Sequence, residues 1–364
     1  MLRWRHLEQG PRIAVIGGGT GLSVLLRGLK EYTSNITAVV SVADDGGSSG
    51  RIREEFGMVP VGDIRNCIVA LSDREDLMEQ VFNYRFERGE GLKGHSLGNL
   101  LLVGMSYLTG SFHDAVSDIN EVLHIRGKVV PVTDEPVTLK AILDDDTEIV
   151  GESCVSCSER PIVRLMIEPE DVKPLDEALE AIAEADAIIL GPGSLFTSII
   201  PNLLVDGISE AILESKAAKF YVCNVMTQSG ETDFFTAQDH LHALIEHSRK
   251  GITDYIVVND HQSVSEELLH RYQAEGANPV QYDKEKLEAM DVKVLEADLL
   301  NEKEVLRHNS TQLAKVIMKQ IYMKNGFWKR LQWRYSYHAV RWTCRRQRNA
   351  QGRERCEQCP FQMK

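Results

Sequence analysis

No apolar stretch in this 364-residue chain approaches the ~18 residues that a membrane span needs. The start, Met1-Leu2-Arg3-Trp4-Arg5-His6, is basic, but no apolar core follows it before the first expected strand. That argues against a secretory signal. Cysteine is sparse: the seven are irregularly spaced, which excludes a disulfide framework in a chain this long. A cytoplasmic location is the simplest expectation. The catalytic signatures HExxH and Gly-x-Ser-x-Gly and the kinase set are all missing. There is no internal repeat and no low-complexity segment.

Charge is present but unevenly spread. The net charge is −13. Residues 325–364 hold ten Lys/Arg against two Asp/Glu, a balance of +8, so residues 1–324 carry −21. An acidic body argues against broad nucleic-acid binding by that body. The last forty residues also hold Trp328, Trp333 and Trp342, three of the four tryptophans. The shift marks a boundary near Tyr322–Phe327, with one domain over 1–324 and a basic tail, disordered or foreign to the body, over 325–364. His338, Cys344, Cys356 and Cys359 in that tail have an irregular spacing that fits a disordered basic segment better than a zinc site.

The body alternates strands and helices. Arg12-Ile13-Ala14-Val15-Ile16 is a short apolar run ending in glycines, the mark of a buried parallel strand. Leu22, Leu25, Leu26 and Leu29 follow at helical spacing, and Ile36–Val42 is the next strand. That is a βαβ unit. Further strands are expected at Lys128–Val132, Glu148–Val150, Ile162–Ile167, Ala187–Leu190, Phe220–Val225 and Tyr255–Val258. Helices are expected at Ile64–Leu71, Leu77–Tyr84, Leu97–Leu108, Phe112–Leu123, Asp171–Ala185 and Gln238–His247. Such alternation predicts an α/β fold with a mostly parallel sheet covered on both faces. Ligands in such sheets bind at the carboxyl ends of strands.

Several strand tips carry residues suited to anions. Gly17-Gly18-Gly19-Thr20-Gly21 ends the first strand. Glycines there let backbone N–H groups approach a phosphate, although the run can also be a plain tight turn. It is not the dinucleotide fingerprint, because Leu22 fills the third glycine position. It is not a Walker A loop, because no Gly-Lys-Ser/Thr follows. The second strand leads to Asp44-Asp45-Gly46-Gly47-Ser48-Ser49-Gly50-Arg51 and Arg53. An acid here can bind a ribose or Mg²⁺, Ser48 and Ser49 can join an anion nest, and Arg51 can clamp phosphate. The alternative is a solvated turn with capping aspartates.

Asp63, in Gly62-Asp63-Ile64-Arg65-Asn66, is explained equally well by helix capping and by catalysis. In Gly94-His95-Ser96-Leu97-Gly98-Asn99, Ser96 is a cap candidate, with His95 and Asn99 structural or near the ligand. Gly191-Pro192-Gly193-Ser194-Leu195-Phe196-Thr197 opens a helix that Ser194 can cap, with free N–H groups for an anion. Asn224 to Gln228 add polar groups at the same rim. Cys154-Val155-Ser156-Cys157 has redox spacing, but it is not expected at a strand-to-helix junction and reads as incidental.

Together GGGTG, VADDGGSSGR, GDIRN, GHSLGNL, GPGSLFTSIIPNLLV and CNVMTQSGET resemble the gluconeogenesis factor family (YvcK-type proteins). Its sister family is the 2-phospho-L-lactate transferases (CofD-type). The resemblance runs from Arg12 to Met323 in order, and Leu306-Arg307-His308-Asn309 is similar to the closing motif of the YvcK-type branch. It implies a Rossmann-like three-layer α/β/α fold, CofD-like. It implies binding of UDP-glucose or UDP-N-acetylglucosamine, and a role in gluconeogenic growth and in cell shape through cell-wall synthesis. A homodimer and a cell-wall synthesis protein as partner are compatible with it.

Phosphate is expected on Gly18, Gly19, Thr20 and Gly21 and on Gly193, Ser194 and Thr197, with Asn224, Tyr272 and Arg307 as further contacts. No cofactor is required for binding. In the transferase branch the same tips hold a nucleotide, an acceptor and Mg²⁺. Asp44, Asp45 and Asp63 are then the candidate catalytic acids, with Asp45 as metal ligand. A third reading, a dinucleotide-dependent oxidoreductase, is weakened by Leu22. Nothing in the family pattern corresponds to the tail. Deleting 325–364 should leave the melting temperature and ligand affinity nearly unchanged; a large loss of either would overturn that reading.

Overall fold

Strand β1 (Ile13–Gly17) is buried along its whole length. A strand with no polar face must be covered on both sides, and it is central to a sheet of seven. β2 (Ile36–Val40) pairs with β1 from Ile13 against Ile36, and β3 (Lys128–Pro131) pairs with β2. On the other side, β7 (Ala187–Leu190) pairs with β1 from Ile13 against Ala187. β8 (Ala218–Val222), β9 (Tyr255–Asn259) and β10 (Lys293–Ala297) follow outward. Every pair is parallel, and the order is β10-β9-β8-β7-β1-β2-β3. The chain thus builds one half outward from β1 through β2, returns to the centre, and builds the other half from β7. Right-handed crossovers then place the two sets of helices on opposite faces, giving the expected three-layer α/β/α fold. The order reverses between β1 and β7, which leaves a crevice beyond their carboxyl ends.

The computed structural model describes residues 7–260, 270, 272–274, 276–301 and 307–324, with the backbone alone at Asn301 and Arg307. The basic tail 325–364, with its candidate zinc residues, lies outside them. The chain divides into two units, Met1–Ile317 and Met318–Lys364; of the second only the helical residues 318–324 are described. Among the described residues no single helix is long and apolar enough to cross a membrane.

α1 (Gly19–Leu29) buries Leu22, Leu25, Leu26 and Leu29, the stripe its spacing predicts. α2 (Gly47–Phe56) stands where a Gly/Ser loop was expected. α3 (Gly62–Leu71), α4 (Glu75–Asn83), α5 (Leu97–Thr109) and α6 (Phe112–Val122) fall near the predicted positions.

The strands expected at 148–150 and 162–167 do not join the main sheet. β5 (Glu148–Val150) and β6 (Ile162–Glu168) flank β4 (Thr138–Leu143) in a separate antiparallel sheet. β4 was not anticipated, although its buried residues alternate as a one-sided strand requires. Between β5 and β6 lies a single turn, α7 (Glu152–Val155). It carries Cys154, which thus stands just after a strand-to-helix junction, contrary to the sequence expectation, while Cys157 lies beyond its end.

α8 covers Asp176–Ala183 rather than Asp171–Ala185. Pro174 explains the late start, since the residue before a proline is driven out of helical geometry. A π-helical turn (Leu195–Ile199), α9 (Ile200–Leu203), α10 (Ile208–Glu214), α11 (Ala237–Glu246), α12 (Lys284–Glu288), the short pair β11 (Leu300–Asn301) and β12 (Arg307–His308), and α13 (Ser310–Lys324) complete the order among the described residues.

Candidate functional site

The crevice between β1 and β7 holds a cavity of about 420 Å³. Its floor is two glycine turns in contact. A Cβ on Gly21 would lie 2.8 Å from the Pro192 carbonyl oxygen and 3.0 Å from the Gly193 Cα, so only glycine permits the turns to touch. Gly19 takes φ of +68°, which bends the chain from β1 into α1. The first-turn N–H groups of α1 have no carbonyl of their own helix to meet, and Gly18, Gly19, Thr20 and Gly21 all border the cavity.

The second turn brings Gly193, Ser194 and Thr197 to the same space, and the rim after β8 adds Asn224 and Gln228. Tyr272 also borders the cavity and packs on Val225 and Met226. Of the acids, Asp44 and Asp63 line it.

Asp63 does not cap its helix. α3 is preceded by Val61, and the Asp63 carboxylate turns to accept the Gly19 N–H. Burial first, and then the Asp44 charge, push the Asp63 carboxyl from 3.8 up to about 7. The second expected phosphate seat is also held by an acid of the protein. Ser194 makes no cap; its hydroxyl accepts from the Gln228 side chain at 2.8 Å. Buried Glu231 instead accepts the Phe196 N–H at 3.3 Å and the Thr197 hydroxyl at 3.1 Å. Burial raises its carboxyl to about 7 despite these donors. Each helix start expected to meet a ligand phosphate therefore already faces a carboxylate. Thr20, Gly21 and Gly193 border the same cavity.

Five other expected residues lie off the cavity. Gly47–Phe56 is helical, so Ser48 and Ser49 form no nest. The Ser48 hydroxyl sits 3.1 Å from His95 Nδ1 and accepts from Asn99 Nδ2 at 3.1 Å. The Arg65 guanidinium donates to Ser96 and to Asn99 Oδ1. This buried cluster pins α2, α3 and the start of α5 together. Ser96 caps α5 as expected, accepting the Asn99 N–H. Ser49 lies against Gly62, and Arg51 donates to the Lys93 carbonyl. The Arg307 side chain is outside the described residues.

Asp44 and Asp45 divide their work. Asp44 accepts the Gly46 N–H at 2.9 Å while bordering the cavity. The two oxygens of Asp45 accept the N–H groups of Glu152 at 2.8 Å and Ser153 at 2.9 Å. That occupation does not suit Asp45 as a metal ligand. Among the described residues no three His, Cys, Asp or Glu side chains form a metal-holding group. Asp44 and Asp63, both on the cavity, fit Mg²⁺, which takes one or two carboxylates and completes its shell with phosphate oxygens and water.

Two ionisable lining residues were missed. Glu152 borders the cavity, and burial, then Asp44, Asp45 and Glu231, push its carboxyl to about 7. No local pattern marks it. His308 also borders the cavity; its Nε2–H donates to the Cys223 carbonyl at 3.1 Å, and burial lowers it to about 4, so it is neutral. Its place in the Arg307-His308-Asn309 motif was the available signal. A smaller groove of about 220 Å³, bordered by Phe196, Phe235 and His242, lies apart from these residues.

The family described as 2-phospho-L-lactate transferase CofD matches residues 13–300. The gluconeogenesis factor of Halalkalibacterium halodurans is 50% identical over 308 residues, 84% of this chain and 95% of its own length. The gluconeogenesis factor of Bacillus subtilis is 48% identical over 313 residues, 86% of this chain and 98% of its own. A crystal structure of a UPF0052-family protein from Bacillus halodurans has a TM-score of 0.82 at 50% identity, covering 85% of this chain and 99% of that one.

The raised acids set a pH dependence. Between the unfolded value near 4 and the folded value of about 7, the folded chain holds a proton on Asp63 that the unfolded chain has released. Asp63 therefore costs stability as pH rises through that window, and the cost is complete above about 7. Asp63→Asn should stabilise more at pH 8 than at pH 5. The change in its effect on the unfolding constant should be roughly tenfold or more. Urea unfolding at the two pH values measures it, and an equal effect at both would contradict the assignment.

Proposed function

The chain belongs to the CofD family, in its gluconeogenesis-factor branch, and from that membership and the cavity we propose that it is a cytoplasmic regulatory protein that binds a UDP-sugar. UDP-glucose and UDP-N-acetylglucosamine are the ligands of choice, and gluconeogenic growth and cell-wall morphogenesis are the processes served. The names of the relatives support the gluconeogenic role. The cell-shape role rests on the family resemblance.

The observation that carries the reading is the cavity floored by two touching glycine turns at the switch of the sheet. Its volume of about 420 Å³ is in the range of small-molecule sites. The diphosphate lies over the N–H groups of Thr20, Gly21 and Gly193, with the Asn224 and Gln228 amides and the Tyr272 ring for the nucleoside. The acids favour a ligand whose charge arrives with protons or a cation.

A second reading, a transferase using a nucleotide-linked donor, is favoured by Asp44 and Asp63 bordering the cavity together. Mg²⁺ held by them would neutralise and orient donor phosphates.

Calorimetric titration with UDP-N-acetylglucosamine should give saturable one-site binding. Folded Gly19→Val should bind at least about tenfold more weakly, because a branched side chain stands where phosphate meets the backbone. No binding by the wild type at millimolar ligand, or normal affinity in the folded variant, would sink the proposal. Acceptor-dependent nucleotide release with Mg²⁺ and a UDP- or GTP-linked donor would move the assignment to the transferase.

A further inference from the structure

The turn between β5 and β6 bears two exposed free thiols, Cys154 and Cys157. The Cys157 N–H donates to the Cys154 carbonyl at 3.2 Å, and the Ser158 N–H to the Val155 carbonyl at 3.3 Å. The cysteines therefore sit three apart on a closed turn. Cα atoms at the ends of such a turn are less than about 7 Å apart, the separation a disulfide spans. Val155, between them, is completely buried and anchors the turn, while both thiols face out. Among the described residues no cysteine forms a disulfide, and dithiols of this spacing in such a setting are usually redox-active rather than structural.

The contacts of the turn give its oxidation a consequence. At its start, Asp45 holds the Glu152 and Ser153 N–H groups. In its middle, the Ser156 hydroxyl donates its one proton to Glu152 Oε1 at 3.3 Å and also faces the Glu231 carboxyl. The Ser156 carbonyl oxygen lies where a Cβ on Gly230 would approach to 2.6 Å, so the turn packs directly on the segment that carries Glu231. Glu152 borders the cavity, and Glu231 holds the Phe196 N–H and the Thr197 hydroxyl. Ser156, the residue next to Cys157, is thus bonded to Glu152 on the cavity and faces Glu231, which holds the lining residue Thr197.

We propose that Cys154 and Cys157 form a redox-responsive dithiol whose closure to a disulfide shifts Ser156 and so alters the cavity wall at Glu152 and at Thr197, which Glu231 holds. With a peroxide as oxidant, one thiolate attacks a peroxide oxygen. The O–O bond breaks, giving a sulfenic acid, and the leaving oxygen takes a proton to become water or an alcohol. The second thiolate attacks the sulfenic sulfur, the S–S bond forms, and the sulfenic oxygen leaves with a proton as water. The cysteines lose two electrons in all and the peroxide gains them. A small dithiol reverses the step by exchange. The disulfide stands independently of the ligand; its effect on binding rests on the UDP-sugar reading.

The test oxidises the full-length reduced protein with hydrogen peroxide and maps its peptides by mass. The expected product links Cys154 to Cys157 with the loss of two hydrogens and returns to the dithiol with dithiothreitol. Amide exchange across residues 228–233 should change by at least about threefold on oxidation in the wild type and stay constant in Cys157→Ser. The affinity for UDP-N-acetylglucosamine should shift by a similar factor. Failure to form this linkage, or its formation without change at 228–233, overturns the proposal. Binding that is absent in both redox forms counts against the UDP-sugar reading instead, and the linkage and exchange results still decide this one.

Discussion

The contact between the turn after β1 and the turn after β7 is the constraint on which the rest depends. Gly21 rests on the Pro192 carbonyl and the Gly193 backbone at distances that exclude any side chain. That contact is possible because β1 and β7 are neighbours in register, Ile16 opposite Leu190, where the strand order reverses. It fixes two helix starts side by side, and the polar residues after β8 close the third side. A parallel sheet buried on both faces leaves its strand tips as the place where polar chemistry can gather.

The same contact creates an electrostatic problem, and three acids answer it. Two helix starts aimed into one crevice favour negative charge. Asp63 meets the first at Gly19, and Glu231 meets the second at Phe196 and Thr197. Glu152 stands beside them. All three are raised to about 7, chiefly by burial, so the site changes its charge near neutrality. An anionic ligand would have to displace or neutralise the carboxylate on Gly19, whereas Glu231 is held by the Phe196 N–H and the Thr197 hydroxyl. Affinity for a diphosphate should then be tied to proton uptake or to a cation between Asp44 and Asp63.

The sheet and its switch were largely legible in the residues. Ile13–Gly17, Ala187–Leu190 and Tyr255–Asn259 are apolar runs between turn residues, and the leucines of α1 have helical spacing. The glycine turns and the polar rim after β8 were legible because strand-tip chemistry is local. Partnerships across the chain were not. Asp44 and Asp45 are adjacent and chemically alike, yet one borders the cavity and the other holds Glu152, 107 residues away. Nothing near either distinguishes them. Ser48, His95 and Asn99 looked like ligand contacts because they are polar and lie in glycine-rich motifs. They hydrogen-bond one another to hold α2 against α5. Glu152 was missed, and the cysteine turn read as incidental, for a related reason: β4 turns the segment after 138 into a separate sheet, and only that arrangement brings Glu152 to the cavity.

A crystal structure of the protein with UDP-N-acetylglucosamine tests the central claim most directly. The account predicts the diphosphate within hydrogen-bond distance of the Thr20, Gly21 and Gly193 N–H groups, with the Asp63 carboxylate withdrawn from Gly19 or neutralised there. Ligand seated in the smaller groove by Phe196 and Phe235, with the Gly19–Asp63 bond undisturbed, would contradict it.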